Sequence, residues 1–206
     1  MARWAVLAIA LLLPAWVQGQ PAEAPNAILL VAKPELADPN FRESVVLVTQ
    51  APDASTVGVI LNRTTQRRHA KSGKAIGLGG PLAPGALVAL FRSPQKPEGQ
   101  SFHVLKGVHL SMQPTTLEAL FAGPAESYRL YSGFSGWAPR QLEAEMRRDS
   151  WYILPASESV IFRDDVRGLW RELLEKARKM NAPRAQAPCK KALDILPPCS
   201  ISPAFS

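Results

Sequence analysis

The chain has 206 residues, 47% apolar and 20% charged, a balance that excludes wholesale disorder, collagen and long coiled coil. One domain with extensions fits this length, and a chain of this size buries about 70% of its unfolded surface. The net charge of +7 is unevenly placed: residues 176–206 carry a net +5 and residues 20–175 only +1. A nucleic-acid reader concentrates basic charge on its folded face, so a nearly neutral body argues against that class.

Residues 1–20 open with Arg3, continue as an apolar run from Trp4 to Leu13, and close with Pro14, Val17 and Gly19. That order is the pattern of a secretory signal. The run is half of the about 20 residues a membrane span requires. Residues 1–19 therefore read as a removable signal peptide, and the mature protein is expected to be periplasmic or secreted, or cytoplasmic if the leader does not function.

Within the body, residues 45–48 and 57–61 are expected to pair as a hairpin across the polar stretch holding Pro52 and Asp53. Residues 87–91, 102–105 and 108–112 follow as short strands. Thr115-x-x-Glu118 after Pro114 has capping-box spacing, and Leu117, Leu120 and Phe121 give its helix an apolar face that Gly123 ends. Residues 128–131 read as a strand. Pro139 opens a helix to about Arg148, with Leu142 and Met146 on one side. Residues 151–154 and 160–162 read as further strands. The clearest helical period runs over 165–180, where Val166, Leu169, Trp170, Leu173, Leu174 and Ala177 share one face. Asp164 and Asp165 stand at its start and Arg178 and Lys179 at its end, as the helix dipole favours.

These elements predict an α+β (α/β-like) fold: a single domain over residues 27–180 with a mixed, largely antiparallel sheet flanked by helices. Residues 181–206 form a Pro/Lys-rich tail holding both cysteines, Cys189 and Cys199. In an oxidising compartment these are expected to form a disulfide, and in the cytosol two thiols are too few for a zinc site. The basic tail also offers a weak, salt-sensitive contact to an anionic surface.

Several motifs invite a chemical reading. Gly133-Phe134-Ser135-Gly136-Trp137 begins like a G-x-S-x-G nucleophile elbow, but its fifth residue is Trp and the histidines His69, His103 and His109 all lie upstream. The order Asp, His, Ser stays open through Asp38 or Asp53. A tight turn from strand to helix is the simpler use of these glycines. His103 and His109 lack a third metal ligand at suitable spacing, so no metal site is expected. Gly73-Lys74 with Gly77, Gly79 and Gly80 matches neither phosphate-loop pattern. Gly79-Gly80-Pro81 reads instead as a turn that lets backbone approach another element. Arg67, Arg68, His69, Lys71 and Lys74 form a cationic loop without interleaved aromatics for base stacking.

Residues 30–41, Leu-Val-Ala-Lys-Pro-Glu-Leu-Ala-Asp-Pro-Asn-Phe, followed by Ser44-Val45-Val46, resemble the opening signature of the bacterial YqgE/AlgH family (UPF0301, DUF179). Further blocks resembling that family follow in order: Gly58 to Arg63, Gly79-Gly80-Pro81, Gly133 to Glu145, then Trp151 and Pro155. The resemblance spans about residues 27–180. It implies a compact domain with a mixed sheet flanked by helices, and no established enzymatic chemistry or cofactor. One branch of the family is labelled a transcriptional regulator of alginate synthesis. The family is typically cytosolic and ends near the last helix, whereas this chain adds a leader and a tail.

The matched polar residues also have a direct physical reading. Asp38-Pro39 makes a turn whose carboxylate can accept backbone donors, and Asn62-Arg63 ends a buried strand. If Asp38, Asn62, Arg63, Gly79, Gly80, Trp137 and Gln141 converge, they form a small polar cleft with an aromatic wall. Alternatively, each fixes its own turn. The expected function is an exported, non-catalytic binding or accessory module without a cofactor, taking an unknown protein or small ligand. The alternatives are a transcription-related regulator, for which export would remove access to nucleic acid, and a serine hydrolase using Ser135.

Overall fold

The computed structural model describes residues 26–181 except 52, 96, 98, 125 and 126. The expected signal peptide and the Cys189–Cys199 pair lie outside the described residues. Among those described, the elements run β1 (Ala27–Ala32), β2 (Val45–Gln50), β3 (Thr56–Ile60), β4 (Thr64–Arg68), β5 (Ala75–Leu78), β6 (Leu82–Arg92), β7 (Phe102–Leu105), β8 (Val108–Ser111), α1 (Pro114–Ala122), β9 (Tyr128–Trp137), α2 (Gln141–Arg147), β10 (Trp151–Pro155), α3 (Glu158–Ile161) and α4 (Leu169–Asn181).

The main sheet has the order β10-β1-β2-β3-β9-β6-β8-β7 and is antiparallel throughout. The β4–β5 hairpin joins through a parallel pairing of β5 with β9. The sheet curls into a half-barrel within a single α+β domain. Its far edge comes back towards its beginning: the Asn26 amide donates to the Val104 carbonyl at 3.1 Å, and the Thr49 hydroxyl donates to the His103 carbonyl at 2.6 Å.

The apolar runs follow from burial on both faces. Side chains alternate across a strand with period two. Val45 and Leu47 join Leu29, Val31 and Val59 under α4, whereas Val46 and Val48 join Leu30, Ala32 and Ile60 under Trp137, Leu142 and Trp151. A strand covered on both sides needs no polar alternation. α4 contributes Leu169, Leu173, Leu174 and Ala177 to the first core, and each buried leucine adds about 1.5–3 kcal/mol relative to exposure. The Trp170 indole donates to the Ala32 carbonyl at 2.8 Å and pins this helix to β1. A third core gathers Ile76, Ala89, Phe91, Tyr128 and Leu130 beneath Leu117 of α1, with Leu120 and Phe121 beside it.

Several local expectations are corrected. α1 starts at Pro114 with Gln113 before it and no side-chain cap, because proline fits the first turn and moves Thr115 inside the helix. Arg140 takes a left-handed backbone, φ 66°, so Pro139 belongs to the preceding turn and α2 starts at Gln141. Residues 160–162, read as a strand, fall largely in α3; three apolar residues are too few to reveal a period, and α3 buries Ile161. Gly168, φ 73°, breaks the chain before α4, which therefore starts at Leu169 and leaves Asp164 and Asp165 outside it.

The largest correction concerns residues 133–137, which form the end of β9 rather than a turn. One side of β9 pairs with β6. The other pairs with β5 over Leu130–Ser132 and then with β3 over Ser135–Trp137. Gly133, φ 70°, marks the change of partner, and a β-carbon there would sit 2.7 Å from the Gly80 carbonyl oxygen and 2.8 Å from that of Leu82. Likewise, a β-carbon on Gly79 would sit 2.2 Å from the Gly133 carbonyl oxygen. Backbone meets backbone here, which only glycine permits.

Candidate functional site

The seven polar and glycine positions fall into three groups. Asp38, Asn62 and Arg63 hold the loop between β1 and β2. The Asp38 carboxylate accepts the Asn40 amide at 2.8 Å. Asn62 Oδ1 accepts the Val45 amide at 2.9 Å, and its Nδ2 donates to the Glu43 carbonyl at 2.9 Å. Arg63 Nη2 donates to the Pro39 and Arg42 carbonyls, each at 3.3 Å. Gly79 and Gly80 lie at the crossing with β9, where the Gly79 carbonyl accepts the Ile60 amide at 2.9 Å.

Trp137 and Gln141 belong to the third group, organised by Glu145. One Glu145 oxygen, Oε2, accepts both the Trp137 indole at 3.1 Å and the Trp151 indole at 3.3 Å. Gln141 Oε1 accepts the Ala138 amide at 3.1 Å, closing the turn before α2. Phe41 connects this group to the first. Its ring stacks on Trp137, with centroids 5.7 Å apart at 28°, and meets Trp151 edge-on at 5.7 Å and 72°. The loop carrying Asp38 is thus seated on an aromatic plate, and Phe41 and Glu145 complete a group that spacing alone left open.

A cavity of about 440 Å³ opens between the β4–β5 hairpin, the end of β6, the first half of β9 and residues 162–166. Arg63 is the member of the seven that lines it. The other charged lining residues are Lys74, Arg92, Arg129 and Asp164, and Leu61, Ile76, Phe162 and Val166 supply apolar wall. Arg129 Nη2 donates to the Arg163 carbonyl and to Asp164 Oδ1, the latter at 3.2 Å. Arg92 Nε pairs with Glu158 at 2.5 Å, and its guanidinium lies 3.6 Å from the Phe162 ring centroid. Lys74 Nζ lies 5.8 Å from the Tyr128 ring centroid.

Electrostatics in the cavity favour an anion. Burial, and then repulsion from Arg42, pulls the Arg63 guanidinium below its ordinary range, against the opposing pull of Asp38. Arginine keeps its proton in proteins. The consequence is a partly desolvated cation that an incoming negative charge would stabilise. Burial also pushes the Tyr131 phenol up to about 12, with Arg129 opposing, so it stays protonated at neutral pH and is a poor base. Most of this lining escaped sequence reading. A usable signal was present: Arg63 stands between β3 and β4, Arg92 is the last residue of β6 and Arg129 the second of β9, so each lies near a strand terminus.

Ser135 is fully buried in β9, and its Oγ donates to the Gly79 carbonyl at 3.2 Å. His103 and His109 face each other across β7 and β8, with ring centroids 5.9 Å apart. Among the described residues, no three His, Cys, Asp or Glu side chains gather as metal ligands. The basic stretch predicted as a loop divides between β4, which holds Arg67 and Arg68, and the turn that holds His69, Lys71 and Lys74.

Comparison with known proteins identifies the relatives of this fold. A family profile described as AlgH-like, DUF179, matches residues 29–181. A UPF0301 protein of Thermobifida fusca is 33% identical over 167 residues, covering 72% of this chain and 84% of its own. A UPF0301 protein of Myxococcus xanthus is 33% identical over 155 residues, covering 69% and 84%. Among solved structures, the AlgH protein from Pseudomonas aeruginosa superposes with a TM-score of 0.61 at 23% identity, over 81% of this chain and 94% of that one. A protein from Corynebacterium diphtheriae gives 0.58 at 22%, over 77% and 88%. These two share the fold. The profile match over the whole folded body, together with relatives one-third identical across most of the chain, places this protein in the AlgH-like (YqgE/AlgH, UPF0301) family of uncharacterised bacterial proteins.

Proposed function

We propose that this protein is a non-catalytic binding or accessory module that works outside the cytoplasm and takes its ligand in the cavity bordered by Arg63 and Arg129. The observation that carries this reading is the cavity itself, whose cationic side chains are positioned by backbone carbonyls and carboxylates over an apolar wall. Such a mixture holds and orients a ligand. Ser135 supports the same reading, because its hydroxyl is enclosed by β9 and engaged with Gly79. Arg63 ties the cavity to the loop seated on Phe41, so that loop is the surface through which an occupied cavity would be sensed by a partner.

Export rests on the leader pattern of Arg3, the apolar run and Gly19. The Cys189–Cys199 disulfide and an anionic contact through the basic tail belong to the same reading. Native mass spectrometry of protein recovered from periplasm tests it directly. The expected result is a chain starting close to Gln20 that carries a non-covalent adduct, with the adduct reduced in an Arg63→Ala, Arg129→Ala pair. Recovery of full-length chain only from cytosol would remove export, and an adduct unchanged by the paired substitution would remove the cavity. Alkylation of both cysteines without reduction would exclude the disulfide. Equal vesicle retention of the full chain and a chain ending at Asn181 would exclude the tail contact.

A further inference from the structure

The cations of the cavity are not equally matched. Arg92 is paired with Glu158 and Arg129 with Asp164. Arg63 and Lys74 make no ion pair among the described residues, although both line the same cavity. Arg63 and Lys74 thus bring two cationic side chains to the cavity that no ion pair among the described residues engages. Arg63 and Arg129 are also pre-positioned, since each uses Nη2 to bind backbone or carboxylate oxygen. The remaining guanidinium donors, Nε and Nη1 of each, have no hydrogen-bond partner among the described residues. An arginine fork held in this way loses little entropy when it binds a tetrahedral or planar anion. Beside this charge, Leu61, Ile76, Phe162 and Val166 provide wall that a bare inorganic ion would leave uncovered.

We propose that the cavity binds a small dianion with an apolar body, of the phosphate monoester class, with Arg63 and Lys74 supplying the unmatched charge and Arg129 a fixed fork. This rests on the reading of the cavity as the ligand site and adds to it the chemistry of the occupant. A monoester carries close to two negative charges above its second pKa of about 6, one for each of Arg63 and Lys74. A singly charged carboxylate leaves one cation unmatched, and a neutral alcohol leaves both.

The test is calorimetric titration of the full mature chain at pH 7.5 with phenyl phosphate, using inorganic phosphate, benzoate and phenol as comparison probes. Phenyl phosphate is expected to bind most tightly, inorganic phosphate and benzoate more weakly, and phenol least. Lys74→Glu changes a side chain with no hydrogen bond among the described residues and leaves the Lys74 carbonyl to accept the His69 amide, so folding should survive, and phenyl phosphate affinity should fall by roughly tenfold or more. Arg63→Ala should fall similarly, and a heteronuclear spectrum of each variant establishes that it is folded. Benzoate or phenol binding as tightly as phenyl phosphate would overturn the proposal. So would affinity unchanged in folded Lys74→Glu and Arg63→Ala, or no heat with millimolar phenyl phosphate. Periplasmic protein carrying a neutral adduct while phenyl phosphate fails to bind would overturn this inference and leave the binding-module reading standing. Phenyl phosphate binding that depends on Lys74 and Arg63, with no adduct retained from periplasm, would support this inference and count against only the test of that reading.

Discussion

Replacing Trp137 by Ala and by Phe separates two roles that one side chain combines. The indole is buried, its ring stacks on Phe41, and its Nε1 donates to a Glu145 oxygen that also serves Trp151. Truncation to Ala removes both ring and donor and should cost about 3–5 kcal/mol, the range for aromatic-to-alanine changes in a core. Phe keeps most of the stack and loses the hydrogen bond to a charged acceptor, worth about 1.5–3 kcal/mol. The lower end applies, because Glu145 is half-buried and keeps the Trp151 and Gln141 donors. The two variants should therefore differ by roughly 2 kcal/mol, of which stacking beyond area burial accounts for about 0.5–1.5 kcal/mol. At roughly 2–4 °C per kcal/mol for a domain of this size, Trp137→Ala should lower Tm by about 10–15 °C. Urea unfolding followed by far-ultraviolet circular dichroism gives the free energies without relying on tryptophan emission. Hydrogen exchange adds a local readout at the Phe41 and Arg42 amides, both bonded to the Asp38 carbonyl, which should lose protection selectively in the alanine variant. Equal losses in the two variants would refute the assignment of stability to the stacked ring. Unchanged loop exchange in Trp137→Ala would show that Phe41 does not depend on this plate.

Three further outcomes are expected. Gly133→Ala should cost roughly 2–4 kcal/mol, because its β-carbon meets two carbonyl oxygens, whereas Gly168→Ala, also at positive φ but with open space, should cost only about 1 kcal/mol; equal thermal shifts would contradict the crossing geometry. Ser135→Ala should lose about 1 kcal/mol and leave phenyl phosphate affinity unchanged, since the Gly79 carbonyl keeps its bond from the Ile60 amide; a loss of binding measured by calorimetry would bring Ser135 back into the site. Hydrogen bonds from the Arg167 side chain and amide hold the Asp165 carboxyl down to about 2, so its contribution is present above the ordinary value of 3.8 and is lost as pH falls from there through about 2. Asp165→Asn should flatten that part of the acid-unfolding curve, and a carboxyl titration midpoint at 3.8 or above would contradict the pairing.

The parts legible in sequence were those governed by local period and composition. Val45-Val46-Leu47-Val48 has no polar interruption because both faces of β2 are covered, and the leucines of α4 recur at helical spacing because one face meets that sheet. Residues 133–137 were misread because glycine enrichment has two physical origins, reversal of the chain and close passage of another backbone. Deciding between them needs the position of Gly79 and Gly80, more than fifty residues away in sequence. The cavity had the same limit: Arg63, Arg92 and Arg129 come from three separate stretches, and no local pattern reveals that β5 lies parallel to β9 beside them. Asn62 and Trp137 were noticed for their chemistry, but the neighbours that explain their positions, Glu43, Phe41 and Glu145, are brought by a loop and a helix whose approach is tertiary.

The shared strand β9 also constrains the order in which the molecule can fold. Gly58 pairs with Ser135, 77 positions later, and Ile28 pairs with Pro155, 127 positions later. Pairings this distant must meet their loop-closure entropy before hydrogen bonds and burial offset it, which places such a topology among slow two-state folders. Stopped-flow refolding should accordingly lack a microsecond phase that carries native sheet signal. Until β9 is available, β3 and β6 have each lost the same neighbour, so neither half of the sheet can be completed ahead of the other. A nascent chain that has emerged only as far as α1 holds eight strands and no finished sheet.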